Sequence, residues 1–98
     1  MPTEPRKSIR VRVSGRVQGV WFRAWTVDRA TALGLDGWVR NCADGTVEAL
    51  FSGSAEAVDR MLDLCWQGPP ASRVEDIAVE PATAPERPGF GHFQSRQQ

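Results

Sequence analysis

One histidine, two cysteines and no net charge are what this chain has least of, and each scarcity closes off a class of function. Twelve Lys and Arg balance twelve Asp and Glu over 98 residues, which removes the simplest argument for a nucleic-acid binder. Cys42 and Cys65 form no CxxC pair and are too few for a disulfide framework. They read as free thiols in a reducing cytosol, with Cys65 as a small core residue. The opening stretch MPTEPRKSIRVRV has no apolar segment of a secretory signal, and no run is long enough to span a membrane. No His, Cys, Asp or Glu residues fall at metal-ligand spacing, so neither metal nor cofactor is expected. His92 stands alone near the end of the chain and reads as a surface residue. A cytoplasmic monomer, bound neither to membrane nor to nucleic acid, is the resulting expectation.

What is present fits one compact domain, too small for two. A core of this size leaves no room for a deep site, so any chemistry belongs in a surface loop or at an element end. Charge is unevenly spread. Residues 1–40 carry eight basic residues against Glu4, Asp28 and Asp36, whereas residues 41–98 carry four basic and nine acidic ones. The positive half can steer a small anion toward loops at its own end, or the division is simply that of a neutral surface.

Residues 8–14 alternate, with Ile9, Val11 and Val13 on one side and Arg10 and Arg12 on the other, the pattern of a strand with one wet face. Gly15 and Gly19 interrupt it. Phe22, Thr26, Ala30 and Leu33 then recur on one helical face, flanked by Trp25, and Gly34 sits where a helix ends. Residues 35–42 predict a second strand weakened by Gly37, Ala43-Asp44-Gly45 a turn, and residues 46–51 a returning strand with Val47, Ala49 and Phe51 on one face. Ser54 predicts a cap for a helix bearing the stripe Val58, Met61, Leu62 and Cys65, stopped at Gly68-Pro69-Pro70. Residues 74–80 read as a fourth strand with Ile77 and Val79 inward, residues 81–89 as a loop, and residues 90–96 as a possible short fifth strand. Residues 1–7 read as a flexible tail. The order β-α-β-β-α-β predicts an α+β, ferredoxin-like split βαβ sandwich, with two helices on one face of a mostly antiparallel sheet. That fold hosts enzymes, ligand-binding modules and RNA-binding domains alike.

Two features carry chemistry. Gly15-x-x-x-Gly19 joins a strand to a helix, where two glycines let successive N–H groups form a nest for an anion and the helix start adds its own donors. Arg23, in the first helical turn, can fork onto phosphate oxygens. The loop matches neither a Walker A sequence nor the dinucleotide fingerprint, and taken alone such a loop is more often plain turn chemistry. Asn41, ahead of the hairpin turn, has a neutral amide that can both accept and donate, and so can orient a nucleophile or merely bond local backbone.

The segment Gly15-Arg16-Val17-Gln18-Gly19-Val20-Trp21-Phe22-Arg23 resembles the acylphosphatase signature, a basic residue followed by Val-Gln-Gly-Val, one free position and Phe-Arg. A second block, Leu33-Gly34-Leu35, Gly37-Trp38-Val39, Asn41 and Asp44-Gly45-Thr46-Val47-Glu48, is similar to the same family, as are Gly68-Pro69-Pro70-Ala71 and the strand from Val74. Together they span residues 8–80 in order. The resemblance implies hydrolysis of small acyl phosphates without a metal. Phosphate would be held by the loop of Gly15, Arg16, Val17, Gln18, Gly19 and Val20 and by Arg23, and the attacking water positioned by Asn41. Thr46 lies near where the family places a hydroxyl that helps hold the Asn side chain. Trp21, at the free position, either contacts the acyl group or plugs the core. The C-terminus departs from the pattern, since Ser95 stands where an apolar strand residue is expected.

Alternatives of other classes are a non-catalytic anion-binding module of the same fold, which would need no Asn41, and an RNA binder. The latter requires aromatics on the central strands, where Val11, Val13 and Val47 stand instead. Similar domains also begin hydrogenase maturation proteins. The absence of following zinc-finger-like cysteines favours a free-standing enzyme.

Overall fold

Ile9, Val11 and Val13 all turn to one side of β1 (Arg6–Arg16) and are buried there, while Arg10 and Arg12 face out on the other. The computed structural model describes residues 5–93. The remaining elements are α1 (Phe22–Ala32), β2 (Asp36–Asn41), β3 (Val47–Ser54), α2 (Ala55–Gln67), β4 (Arg73–Pro81) and β5 (Phe90–His92). Five strands form one sheet in the order β4-β1-β3-β2-β5, antiparallel throughout except for the parallel pair β2 and β5. The core joins the inward residues of β1, β2 and β3 to the apolar stripes of both helices. This is the ferredoxin-like α+β sandwich.

Most of the helical stripes bury as their spacing predicts, Phe22, Thr26 and Ala30 on α1 and Val58, Met61 and Cys65 on α2, while Leu33, just past α1, and Leu62 pack against the core only partly buried. Thr26 satisfies its buried hydroxyl by donating to the carbonyl of Phe22 at 2.7 Å. Ser54 caps α2, its Oγ accepting from Ala57 N–H at 3.2 Å. Removing a cap of this kind costs about 1 kcal/mol.

Several boundaries shift. Arg6 and Lys7 are not tail but strand, pairing with Ser54 and Gly53, and this extends β3 past Phe51 to Ser54. Of the rest of the expected tail, the Pro5 carbonyl accepts from Ala55 N–H at 2.8 Å, and residues 1–4 lie outside the described residues. Pro81, expected in the loop, closes β4 opposite Ile9. Ile77 is buried as expected, but Val79 is 47% exposed. It sits on the outermost strand, paired with Val11 on one side only, and lies outside the core cluster that takes in Ile77. The fifth strand does form and pairs with β2. The question raised over Ser95, with the rest of the expected strand from Gln94 to Arg96, falls outside the described residues.

The face of the sheet away from the core carries a charged network. Glu48, buried on β3, accepts from Arg40 Nε at 2.8 Å, with Arg10 and Arg12 at 3.5 and 3.9 Å. Three guanidiniums supply the pairing that a buried carboxylate requires. Arg12 also reaches the β2–β3 hairpin, donating to Thr46 Oγ1 at 3.1 Å. At the other end of β1, a bulge between Ser14 and Gly15 brings Gly15 so close to the Arg73 carbonyl that a Cβ there would collide with it. Only glycine fits where the strand turns off toward the next loop.

Candidate functional site

The loop between β1 and α1 is fixed from below. Val17 is buried in the core, and Val20 packs against it. Between them Gly19 adopts φ 74°, a left-handed conformation that glycine enters without penalty. Trp21 adopts φ 68° and ψ 19° as the residue that enters α1. It is the sole non-glycine residue with positive φ among those described, and such a conformation costs about 1–3 kcal/mol.

α1 opens without protection. Trp21 makes no side-chain cap hydrogen bond, and the first turn holds no acidic residue. The first helical bond runs from Trp25 N–H to the Trp21 carbonyl at 3.0 Å. The N–H groups of Phe22, Arg23 and Ala24 therefore precede the helical ladder, at the positive end of the helix dipole. All three residues line an open cleft of about 460 Å³, together with Val17, Gly19, Trp21, Asn41 and His92. Free backbone donors, a helix start without a carboxylate and one guanidinium are groups that can hold an anion. Among the described residues Arg23 makes no ion pair, so its charge is not consumed within the fold.

Asn41 reaches the cleft as the last residue of β2, opposite Val47 and ahead of a tightly tied hairpin. Asp44 Oδ1 accepts from Thr46 N–H at 3.1 Å and from Thr46 Oγ1 at 2.6 Å. The Thr46 hydroxyl and N–H, with Arg12 nearby, hold the Asp44 carboxyl below its ordinary pKa. Gln18 closes the arrangement from the loop side. Its Nε2 donates to the carbonyls of Cys42 at 2.8 Å and Thr46 at 2.9 Å.

The structure thus brings Val17, Gly19, Arg23 and Asn41 to one cleft. The other expected residues stand differently. Gly15 and Arg16 belong to β1 and pair with Val74 and Arg73, although β3 has no partner for them beyond Val13. Gln18 directs its side chain to the hairpin. The hydroxyl of Thr46 engages Asp44 and Arg12, so its visible work is to shape the hairpin behind Asn41.

One residue stands where sequence reasoning did not put it, and another is decided between two alternatives. His92 is a surface residue as expected, yet it lines the cleft, because β5 runs parallel to β2 and sets His92 beside Val39. Only the non-local pairing reveals this. Trp21 is 80% exposed, which leaves the core-plug alternative without support. Among the described residues no three His, Cys, Asp or Glu side chains gather as metal ligands, and no helix is long and apolar enough to cross a membrane.

Comparison with known proteins agrees across nearly the whole chain. The acylphosphatase family model matches residues 9–94. An acylphosphatase of Rhodospirillum rubrum is 61% identical over 89 residues, covering 91% of this chain and 98% of that protein. Of solved structures, an acylphosphatase from Coxiella burnetii superposes with a TM-score of 0.87 at 32% identity, covering 95% of this chain and all of the other. The acylphosphatase from Bacillus subtilis gives 0.83 at 36% identity, over 89% and 98% of the two chains.

Proposed function

This chain belongs to the acylphosphatase family, and from that premise we propose how its cleft hydrolyses acyl phosphates to a carboxylate and inorganic phosphate. The observation that carries the reading is the meeting of Arg23 and Asn41 at an uncapped helix start free of carboxylates.

An acyl phosphate is a mixed anhydride whose carboxylate is already a good leaving group. Little remains for the protein beyond neutralising the phosphoryl oxygens and placing water in line with the leaving oxygen. The backbone of the 15–20 loop, the first N–H groups of α1 and the Arg23 guanidinium cradle the phosphoryl group. Within that loop Gly15 and Gly19 shape the path, while Arg16, Val17, Gln18 and Val20 present main-chain donors. Asn41 orients the water, accepting from one of its hydrogens so that a lone pair of the oxygen faces phosphorus. As the new P–O bond forms, the bond to the acyl oxygen breaks and its electron pair leaves with the carboxylate. The water proton passes to a non-bridging phosphate oxygen, so no protein base takes part. The proposed steps employ neither metal nor cofactor.

Fixed donors act best where charge develops, and removing one from such a site costs roughly 3 kcal/mol of barrier. A non-catalytic anion-binding module would share the loop and Arg23 but give Asn41 nothing to do. The test is hydrolysis of benzoyl phosphate against a phosphomonoester, each with and without chelator. Rapid cleavage of the anhydride alone, indifferent to chelator, is the expected result. Phosphate binding without hydrolysis would select the binding module, and a loss of turnover with chelator would refute metal independence.

A further inference from the structure

We propose that Trp21 is the acyl-group platform of this enzyme, a specificity residue that favours aromatic acyl phosphates. The inference rests on the phosphate site proposed above and extends it to the other half of the substrate.

Three observations meet at this residue. It lines the cleft together with Arg23 and Asn41. It is 80% exposed, so its ring supplies almost nothing to the core, in contrast to the adjacent Phe22 at 2%. It also holds a left-handed backbone conformation that glycine would adopt without strain. Neither packing nor backbone economy explains a tryptophan here, and strained residues concentrate where ligands are handled. Nor does the side chain cap the helix it precedes.

The substrate's own geometry supplies the purpose. Phosphate seated on the loop and the first turn of α1 must project its acyl group out of the nest, because the leaving oxygen points away from the donors and opposite the incoming water. Trp21 stands between that loop and α1, adjoining both sets of donors. An indole there offers a flat apolar face on which an aroyl group can stack offset. A short acyl group such as acetyl would extend too little to cover the ring and would gain little from it.

The experiment compares kcat and KM for benzoyl phosphate and acetyl phosphate in the unaltered enzyme, Trp21→Ala, Trp21→Gly and Trp21→Phe, alongside inhibition by inorganic phosphate. In Trp21→Ala, kcat/KM for benzoyl phosphate is expected to fall about fivefold or more, mainly through KM, the scale of one aromatic contact. Acetyl phosphate turnover and phosphate inhibition should hardly move. Trp21→Gly, which relieves the backbone strain, should lose the same preference, and Trp21→Phe should restore much of it. Equal losses for both substrates, or no loss for either, would overturn the proposal. If the unaltered enzyme cleaved neither anhydride, the phosphate-site reading would fall and take this one with it.

Discussion

Gln18 Nε2 lies 2.8 Å from the carbonyl oxygen of Cys42, so a side chain of the β1–α1 loop is bonded to the backbone next to Asn41. A second bond from the same nitrogen, to Thr46 O at 2.9 Å, grips the other side of the hairpin. One amide thus spends both hydrogens fastening the loop that would hold phosphate to the strand end that would hold water. Gln18 and Cys42 stand 24 residues apart in sequence, and their bond is a direct polar tie between the two halves of the proposed site.

Gln18→Leu keeps the bulk and removes both donors, leaving two carbonyls short of a partner. A loss of about 1–3 kcal/mol is expected, read as a lower midpoint in denaturant unfolding. Turnover should fall more than phosphate affinity, because the hairpin carrying Asn41 loosens while Arg23 and α1 stay in place. Gln18→Glu, which sets a carboxylate against both carbonyl oxygens, should be worse on both counts. Unchanged stability in both variants would show that the tie contributes nothing in solution.

Arg23 carries a charge that no carboxylate of the described fold takes up, in contrast to Arg10, Arg12 and Arg40, each paired on the far face. Arg23→Ala should therefore leave folding intact and lower kcat/KM for benzoyl phosphate by about 10²–10³-fold. Inhibition by inorganic phosphate should weaken with it. Arg23→Lys retains the charge and loses the fork, so it should recover only part of the activity. A phosphate inhibition constant unmoved in Arg23→Ala would remove the guanidinium from the site.

Asn41→Ala separates placement from binding. If its amide only orients water, kcat should fall by up to about 10²-fold, the scale set by misplacing a reactant. Inhibition by inorganic phosphate should stay close to that of the unaltered enzyme. Asn41→Asp is more severe, since a carboxylate would repel the phosphate beside it. Weaker phosphate binding with unchanged kcat in Asn41→Ala would assign the residue to binding instead.

Local pattern reveals what depends on local geometry. The alternation of Ile9, Val11 and Val13, and the helical spacing of Phe22, Thr26 and Ala30, fix a face whatever the rest of the chain does, and those residues are buried. Burial also depends on which element covers that face. Val79 shares the alternation and the strand of Ile77 yet stays exposed, because the core cluster reaches Ile77 and not the end of β4 where Val79 stands. The cleft divides in the same way. Arg23 and Asn41 are legible from their places at an α1 start and a β2 end. His92 enters through a parallel pairing across half the chain, which no short window contains. The hydroxyl of Thr46 donates to Asp44 and accepts from Arg12, a pairing that only the folded hairpin beside β1 brings about.

Burial pushes the Cys65 thiol up from its ordinary 9.0 to about 12, because the apolar core disfavours the thiolate. In the unfolded chain the same thiol ionises near its ordinary value. Below about pH 9 neither state is ionised at this residue, and its contribution to stability is full. Between pH 9 and 12 the unfolded state sheds a proton that the folded state keeps, so stability falls as pH rises. Replacing Cys65 with valine removes this term while filling similar volume. Denaturant unfolding across that range should then show a shallower alkaline decline in Cys65→Val than in the unaltered protein. Identical slopes would mean that the thiol is not held neutral. A thiol-specific reagent offers an independent check at neutral pH, where partly buried Cys42 should react in the folded protein and Cys65 only after unfolding.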